Sequence, residues 1–167
     1  MCADIVSPEQ RSQMMRRIRG KDTKPEMIVR SACHAMGLRF RLHRKDLPGS
    51  PDLVFPKFRL CLFVHGCFWH RHAGCQYAYT PKTRVEFWLA KFTKNAARDL
   101  EVEKALHAQG WRTEIIWECE AKNLKLLRKK LQFIFPEQCL AKQLFSSSAI
   151  EFILDPNAAR PASERQE

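Results

Sequence analysis

No stretch of this 167-residue chain is both apolar and long enough to span a bilayer, a task that takes about 20 residues. The start, Met1-Cys2-Ala3-Asp4, lacks the basic segment followed by an apolar one that marks an export signal. A cytoplasmic protein with no membrane association is the expectation. No internal repeat is visible. Acidic residues are scarce, 18 against 29 Lys and Arg, which leaves a net charge of +11. A solvated basic surface would account for that excess, and an anionic membrane surface is another reading. Nucleic acid accounts for it best, because clustered Lys and Arg neutralise phosphates and release counterions. With no export signal, the seven cysteines read as buried thiols or metal ligands rather than disulfides.

What is present fits one α/β domain over residues 1–136, because 45% of the chain is hydrophobic and can form a core. Ser7-Pro8-Glu9-Gln10 opens a helix with an N-cap, a proline at the first position and a capping box. Residues 1–22 then form a basic arm. It is either a solvated helix at the domain edge or one that lies on DNA and presents Met14 and Met15 as an apolar wedge. Thr23-Lys24-Pro25-Glu26 is a second capping box, and Gly37 stops that helix. Glu26 is either a cap or a supporting carboxylate for a nearby site. Leu38, Phe40 and Leu42 alternate with arginines as a strand. Asp52 to Phe55 and Phe58 to Val64 read as two more strands, joined at Pro56-Lys57 by a tight hairpin. Thr83-Arg84-Val85-Glu86 is a third capping box. It opens a long helix with Trp88, Phe92 and Ala96 on one face, and Asn95 and Arg98 are placed to meet phosphates. Trp111 to Trp117 is a further strand, and Ala121 to Phe135 a last helix. Residues 137–167 read as a polar, partly disordered extension.

The densest chemistry lies in Val64-His65-Gly66-Cys67-Phe68-Trp69-His70-Arg71-His72-Ala73-Gly74-Cys75. It holds three histidines, two cysteines and two large aromatics directly after an apolar strand. Cys67, His72 and Cys75 are a three-ligand set for zinc, which favours thiolate and imidazole in tetrahedral sites. Cys119 is the fourth, because it follows a strand that would lie beside the first. Phe68 and Trp69 are either core aromatics or a projecting wedge of the kind that unstacks bases. Asp52, just after Pro51 at the head of an apolar strand, is either a turn cap or a ligand for a divalent metal.

Taken in order, these residues resemble the very short patch repair (Vsr) DNA mismatch endonucleases over roughly residues 11 to 135. The resemblance rests on Arg11-Ser12, Met15-Arg16, Asp22-Thr23 with Glu26, Leu47-Pro48-Gly49 with Pro51-Asp52, and His65-Gly66-Cys67-Phe68-Trp69-His70. It continues through Glu86-Phe87-Trp88, Lys94-Asn95, Arg98-Asp99, Gly110-Trp111-Arg112 and Trp117-Glu118-Cys119. It implies a restriction-endonuclease-like fold, with a central mixed sheet flanked by helices and a structural zinc site. The implied activity is a magnesium-dependent nick 5′ to the thymine of a T·G mismatch, the product of 5-methylcytosine deamination.

By position, Asp52 resembles the magnesium-binding carboxylate, joined by the backbone carbonyl of Val64. His70 resembles the base, and His65 and Glu26 supporting groups. Cys67, His72, Cys75 and Cys119 match the zinc ligands, and Phe68, Trp69 and Met15 the residues that enter the base stack. The implied setting is a monomer on bacterial nucleoid DNA, with mismatch-repair proteins as further partners. Val64 departs from the threonine common in the family, and the His72–Cys75 spacing is one residue longer. The acidic-x-Lys signature of ordinary restriction enzymes is missing, which is why the base is assigned to His70. A zinc-stabilised DNA-binding module without catalysis and a sequence-specific nuclease of the same fold remain as alternatives.

Overall fold

The computed structural model describes residues 20–136 together with Ser7, Glu9, Gln10 and Gln13. The expectations for Met15, for most of the 1–22 arm and for the 137–167 extension lie outside the described residues. The first capping box is present. Gln10 donates its backbone N–H to Ser7 Oγ at 3.2 Å, and Ser7 returns its own to Gln10 Oε1 at 3.1 Å.

Helix α1, Lys24–Ala35, starts on the expected Thr23–Glu26 box and has proline in its first turn. It ends as the chain reaches Gly37, whose φ of 73° suits a residue without a Cβ. Four strands follow the expected mixed pattern. They are β1 (Arg41–Leu42), β2 (Leu53–Phe55), β3 (Leu60–His65) and β4 (Arg112–Trp117), side by side in that order. The first three are antiparallel and β3/β4 is parallel. The Pro56-Lys57 hairpin is corrected. The link is a 3-10 turn over Pro56–Phe58 closed by Arg59 in the left-handed region, so β3 starts two residues later than expected. Pro56 brings a preset φ and no donor, and the Phe58 ring turns back to meet Phe135 edge-on at 5.1 Å.

Alternation along β3 divides the core. Leu60, Leu62 and Val64 face one side with Leu53, Phe55 and Ile116, covered by α1 and the C-terminal helices. Cys61 and Phe63 face the other with Val54 and Trp111, covered by Val102 and Leu106 of helix α2 (Val85–Ala108). A strand packed on both faces reads as an unbroken apolar run, which is how β3 appears in the sequence.

Helix α2 lacks its expected capping box. Its N-cap is Arg84, with left-handed backbone and no side-chain cap; the Arg84 guanidinium lies 4.6 Å over the Phe87 ring instead. The face of α2 is also corrected: Ala96 is exposed, and the covered stripe runs Trp88, Phe92, Asn95, Asp99, Val102, Leu106. These steps of three and four are the spacing of one helix face. The last helix is two, α3 (Glu118–Lys122) and α4 (Leu124–Ile134). Between them the Asn123 side chain accepts from the backbone N–H groups of Lys125 and Leu126, starting α4 afresh.

Candidate active site and cysteine–histidine cluster

Both functional groups of atoms sit beyond the same ends of β3 and β4. The last pair in their parallel register is His65 with Trp117. Two residues further along each strand come Cys67 and Cys119. Equal overhangs on neighbouring parallel strands bring residues 52 positions apart to one point. Cys67, His72, Cys75 and Cys119 each offer a ligand atom within 4.8 Å of the others. His72 Nδ1 lies 3.7 Å from Cys67 Sγ and 3.3 Å from Cys119 Sγ, and its ring stacks flat on Trp117 at 4.3 Å. Bonds of about 2.0–2.3 Å to a central zinc fit such spacings. Without a cation the thiols crowd one another. Burial, then hydrogen bonding to Cys67, pushes Cys119 up to about 12; burial also raises Cys67. Backbone N–H groups, first that of Tyr77, pull Cys75 down. A shared cation removes this conflict by favouring thiolates throughout, so the donor set fits zinc.

The adjoining cleft, about 940 Å³, is walled by Asp52, Val64, His65, His70, His43 and Asp99 among others. Asp52 stands one residue before β2, and its Oδ2 accepts the Val64 N–H at 2.7 Å. Among the described residues, its Oδ1 faces His43 Nδ1 at 4.0 Å. Burial raises its carboxyl to about 6, against the pull of the Val64 N–H, and Glu26 adds to the rise. A mostly buried carboxylate with one oxygen spare suits a hard divalent ion. Magnesium commonly takes one or two carboxylates and keeps several waters, so Asp52, a nearby backbone carbonyl and water would hold it.

His65 and His70 stack with ring centres 3.8 Å apart. Burial, and then the neighbouring His70, pushes His65 down to about 4, so it is neutral at pH 7. His70 Nδ1 lies 2.5 Å from Asp99 Oδ2. A carboxylate only accepts, so the proton of that bond belongs to Nδ1, which in the neutral ring leaves the lone pair on Nε2.

Glu26 is not on the cleft wall. It caps α1 and is almost completely buried. It also pairs with Arg30 and lies 3.1 Å from His43 Nε2. Arg30 in turn holds Asp22 at 2.7 Å. His43 thus lies between Glu26 and Asp52, 3.1 Å from the first and 4.0 Å from the second.

Phe68 and Trp69 are half-buried. Phe68 sits among Trp69, Tyr79, Trp88 and Phe92 at ring distances of 5.1–5.3 Å. Asn95, expected to meet phosphate, donates to the Trp69 carbonyl at 3.0 Å and pins the loop to α2. Arg71, in the left-handed region, donates to the Ala78 and Tyr79 carbonyls and lies 4.7 Å over Phe92.

Sequence reasoning gave no role to His43 or Asp99. His43 follows a two-residue strand and has no motif of its own. Asp99 lies on the helix stripe that continues Trp88 and Phe92, but Asn95 and Asp99 are polar and break the apolar period that would have marked it.

Asp52, His65, His70 and Asp99 thus share one open cleft on a mixed α/β sheet. The family model described as DNA mismatch endonuclease Vsr matches residues 3–77. The chain is 53% identical over 131 residues to the type II nicking enzyme V.XorIIP of Xanthomonas oryzae pv. oryzae, covering 78% of this chain and 96% of the relative. It is 42% identical over 125 residues to the DNA mismatch endonuclease Vsr of Escherichia coli K12, covering 75% and 80%. It is 40% identical over 134 residues to the type II nicking enzyme V.NmeAIP of Neisseria meningitidis serogroup A, covering 80% and 95%. The chain belongs to the Vsr endonuclease family. Among the described residues no helix is long and apolar enough to cross a membrane.

Proposed function

We propose that this chain nicks duplex DNA 5′ to the thymine of a T·G mismatch, using His70 as general base and Asp52 as the magnesium-holding carboxylate. The observation that carries the reading is the His70–Asp99 pair in the same cleft as Asp52. Magnesium, when bound, would neutralise charge on the scissile phosphate. His70 Nε2 takes a proton from the attacking water as its oxygen bonds to phosphorus and the bond to the leaving sugar oxygen breaks, that oxygen taking a proton from solvent. Asp99 holds the ring in the tautomer that leaves Nε2 free. His65, neutral and stacked on His70, fixes the ring plane and offers a neutral donor to phosphate oxygen. Cys67, His72, Cys75 and Cys119 would bind zinc and fix the loop between the two histidines and the aromatic pair.

Phe68 and Trp69 are proposed to rotate out of their ring cluster into the base stack at the mismatch. The weaker pairing there lowers the unstacking cost, usually a few kcal/mol per step. The exposed Arg98 at the cleft rim and the net charge of +11 suit a phosphate backbone. A matched set of T·G and T·A duplexes tests the reading, with strand-labelled products and with or without magnesium. The expected result is one labelled fragment ending 5′ to the mismatched thymine, only with magnesium. Equal cutting of both duplexes would remove mismatch specificity and leave a sequence-directed nuclease.

A further inference from the structure

Three elements converge beside Asp52 on a donor set that magnesium does not favour. His65 comes from the end of β3, His70 from the loop after it and Asp99 from the middle of α2. One ligand atom of each lies within 4.8 Å of the others, on the wall of the open cleft. Two imidazoles and one carboxylate match zinc, cobalt, manganese and iron, whereas magnesium prefers oxygen. The similar group Asp22, Glu26 and His43 is already served, because the Arg30 guanidinium bonds to both carboxylates.

We propose that His65, His70 and Asp99 form a second site, for a transition-metal dication such as zinc, and that an ion held there switches nicking off. The inhibitory half rests on the proposed role of His70 as base. An ion shared by all three ligands takes His70 through Nδ1, the nitrogen that faces Asp99. It breaks the hydrogen bond to Asp99, and the ring proton moves to Nε2, so no free basic nitrogen remains. The Asp99 carboxylate trades a hydrogen bond for a metal bond, with a shift of under an ångström or so needed to admit the ion.

The test uses the full chain and cobalt(II) as the probe. The first equivalent is expected to give thiolate-to-cobalt charge-transfer absorption from the cysteine cluster. The second is expected to add only weaker ligand-field bands, without that absorption. His70→Ala and Asp99→Asn should each weaken the second equivalent about tenfold or more and leave the charge-transfer band intact. That band also reports that each variant is folded, and His65→Gln is the substitute if one of them is not. Binding that saturates at one ion in the wild type overturns the site. So does a second ion lost in Asp52→Asn but retained in the histidine variant, since it then lies at the magnesium position.

Zinc added in slight excess over two equivalents, under saturating magnesium, should lower nicking about 100-fold or more, the usual contribution of a general base. A bound second ion with unchanged nicking overturns the switch. A protein that nicks nothing refutes the proposed function, yet the cobalt spectra still decide the site.

Discussion

A carboxyl raised to about 6 by burial makes Asp52 a destabilising residue wherever it is ionised. In the folded chain it holds a proton between its ordinary value of 3.8 and about 6, a range in which the unfolded chain has released it. Folding stability of the magnesium-free protein therefore falls as pH rises through that window, and the full cost applies above it. Asp52→Asn should remove that cost and keep the bond from Val64 N–H. Its expected effect is a gain on the order of 2 kcal/mol at pH 7.5, little gain at pH 4, and loss of nicking. Urea titrations at the two pH values check it.

Asp99 lends itself to a different test. In Asp99→Asn the amide N–H₂ can face His70 Nδ1 and force the ring proton onto Nε2. The expected loss is about 100-fold or more in kcat with DNA affinity little changed, and Asp99→Glu should restore part of it. Single-turnover kinetics separate the two quantities. His65, His70 and Asp52 were legible as candidates in the sequence because each stands at the edge of an apolar strand or in a dense motif. His43 and Asp99 were not, because their meaning lies in atoms that only folding brings near.

Helix α2 is the element on which the site is registered. Its stripe places Trp88 and Phe92 under the aromatic pair, Asn95 on the loop backbone, Asp99 on His70, and Val102 and Leu106 on the sheet. The sequence showed the helix but not the stripe, because two of the six positions are polar and break the apolar period. β2, β3 and β4 were legible through their alternation and apolar runs, but the strand expected over Leu38, Phe40 and Leu42 is only Arg41–Leu42, both exposed. The division between α3 and α4 was not, because Asn123 caps a helix without a change in the surrounding pattern.

Gly49 ties the Asp52 loop to the same helix. Its φ is +70°, and a Cβ there would lie 2.5 Å from Val102 Cγ1. Gly49→Ala should cost about 1–3 kcal/mol and lower nicking by displacing Asp52. The double variant with Val102→Ala should recover only the part due to the clash, since the backbone strain remains. Thermal melts of the two single variants and the double variant measure both parts.

At the scale of the whole molecule, the parallel β3/β4 pair sets the cleft histidines and the cysteine–histidine cluster at one end of the sheet, while two helical layers close its faces. The four cysteine-cluster residues were readable from spacing and from one strand argument. Their meeting point depends on register, which no local pattern encodes. Removing the cluster should be felt throughout. In the proposed zinc-bound protein Cys119→Ser should lose the ion, and because structural zinc commonly contributes on the order of 10 kcal/mol of apparent folding free energy, it should also lose cooperative unfolding. Elemental analysis with near-UV circular dichroism checks it; a zinc-free wild type that melts cooperatively would contradict it.

The stripe along α2 has a mechanical consequence. Phe92 and Asp99 lie seven residues apart on one continuous helix, roughly 10 Å. In the proposed complex this rod is a fixed gauge between the opened base stack and the phosphate to be cut. Adjustment then falls on the duplex, which must bend to the protein's spacing. Flanking steps that kink easily, such as pyrimidine–purine steps, would reach that gauge at lower cost, so part of the preference for surrounding sequence would arise at base pairs that no side chain touches.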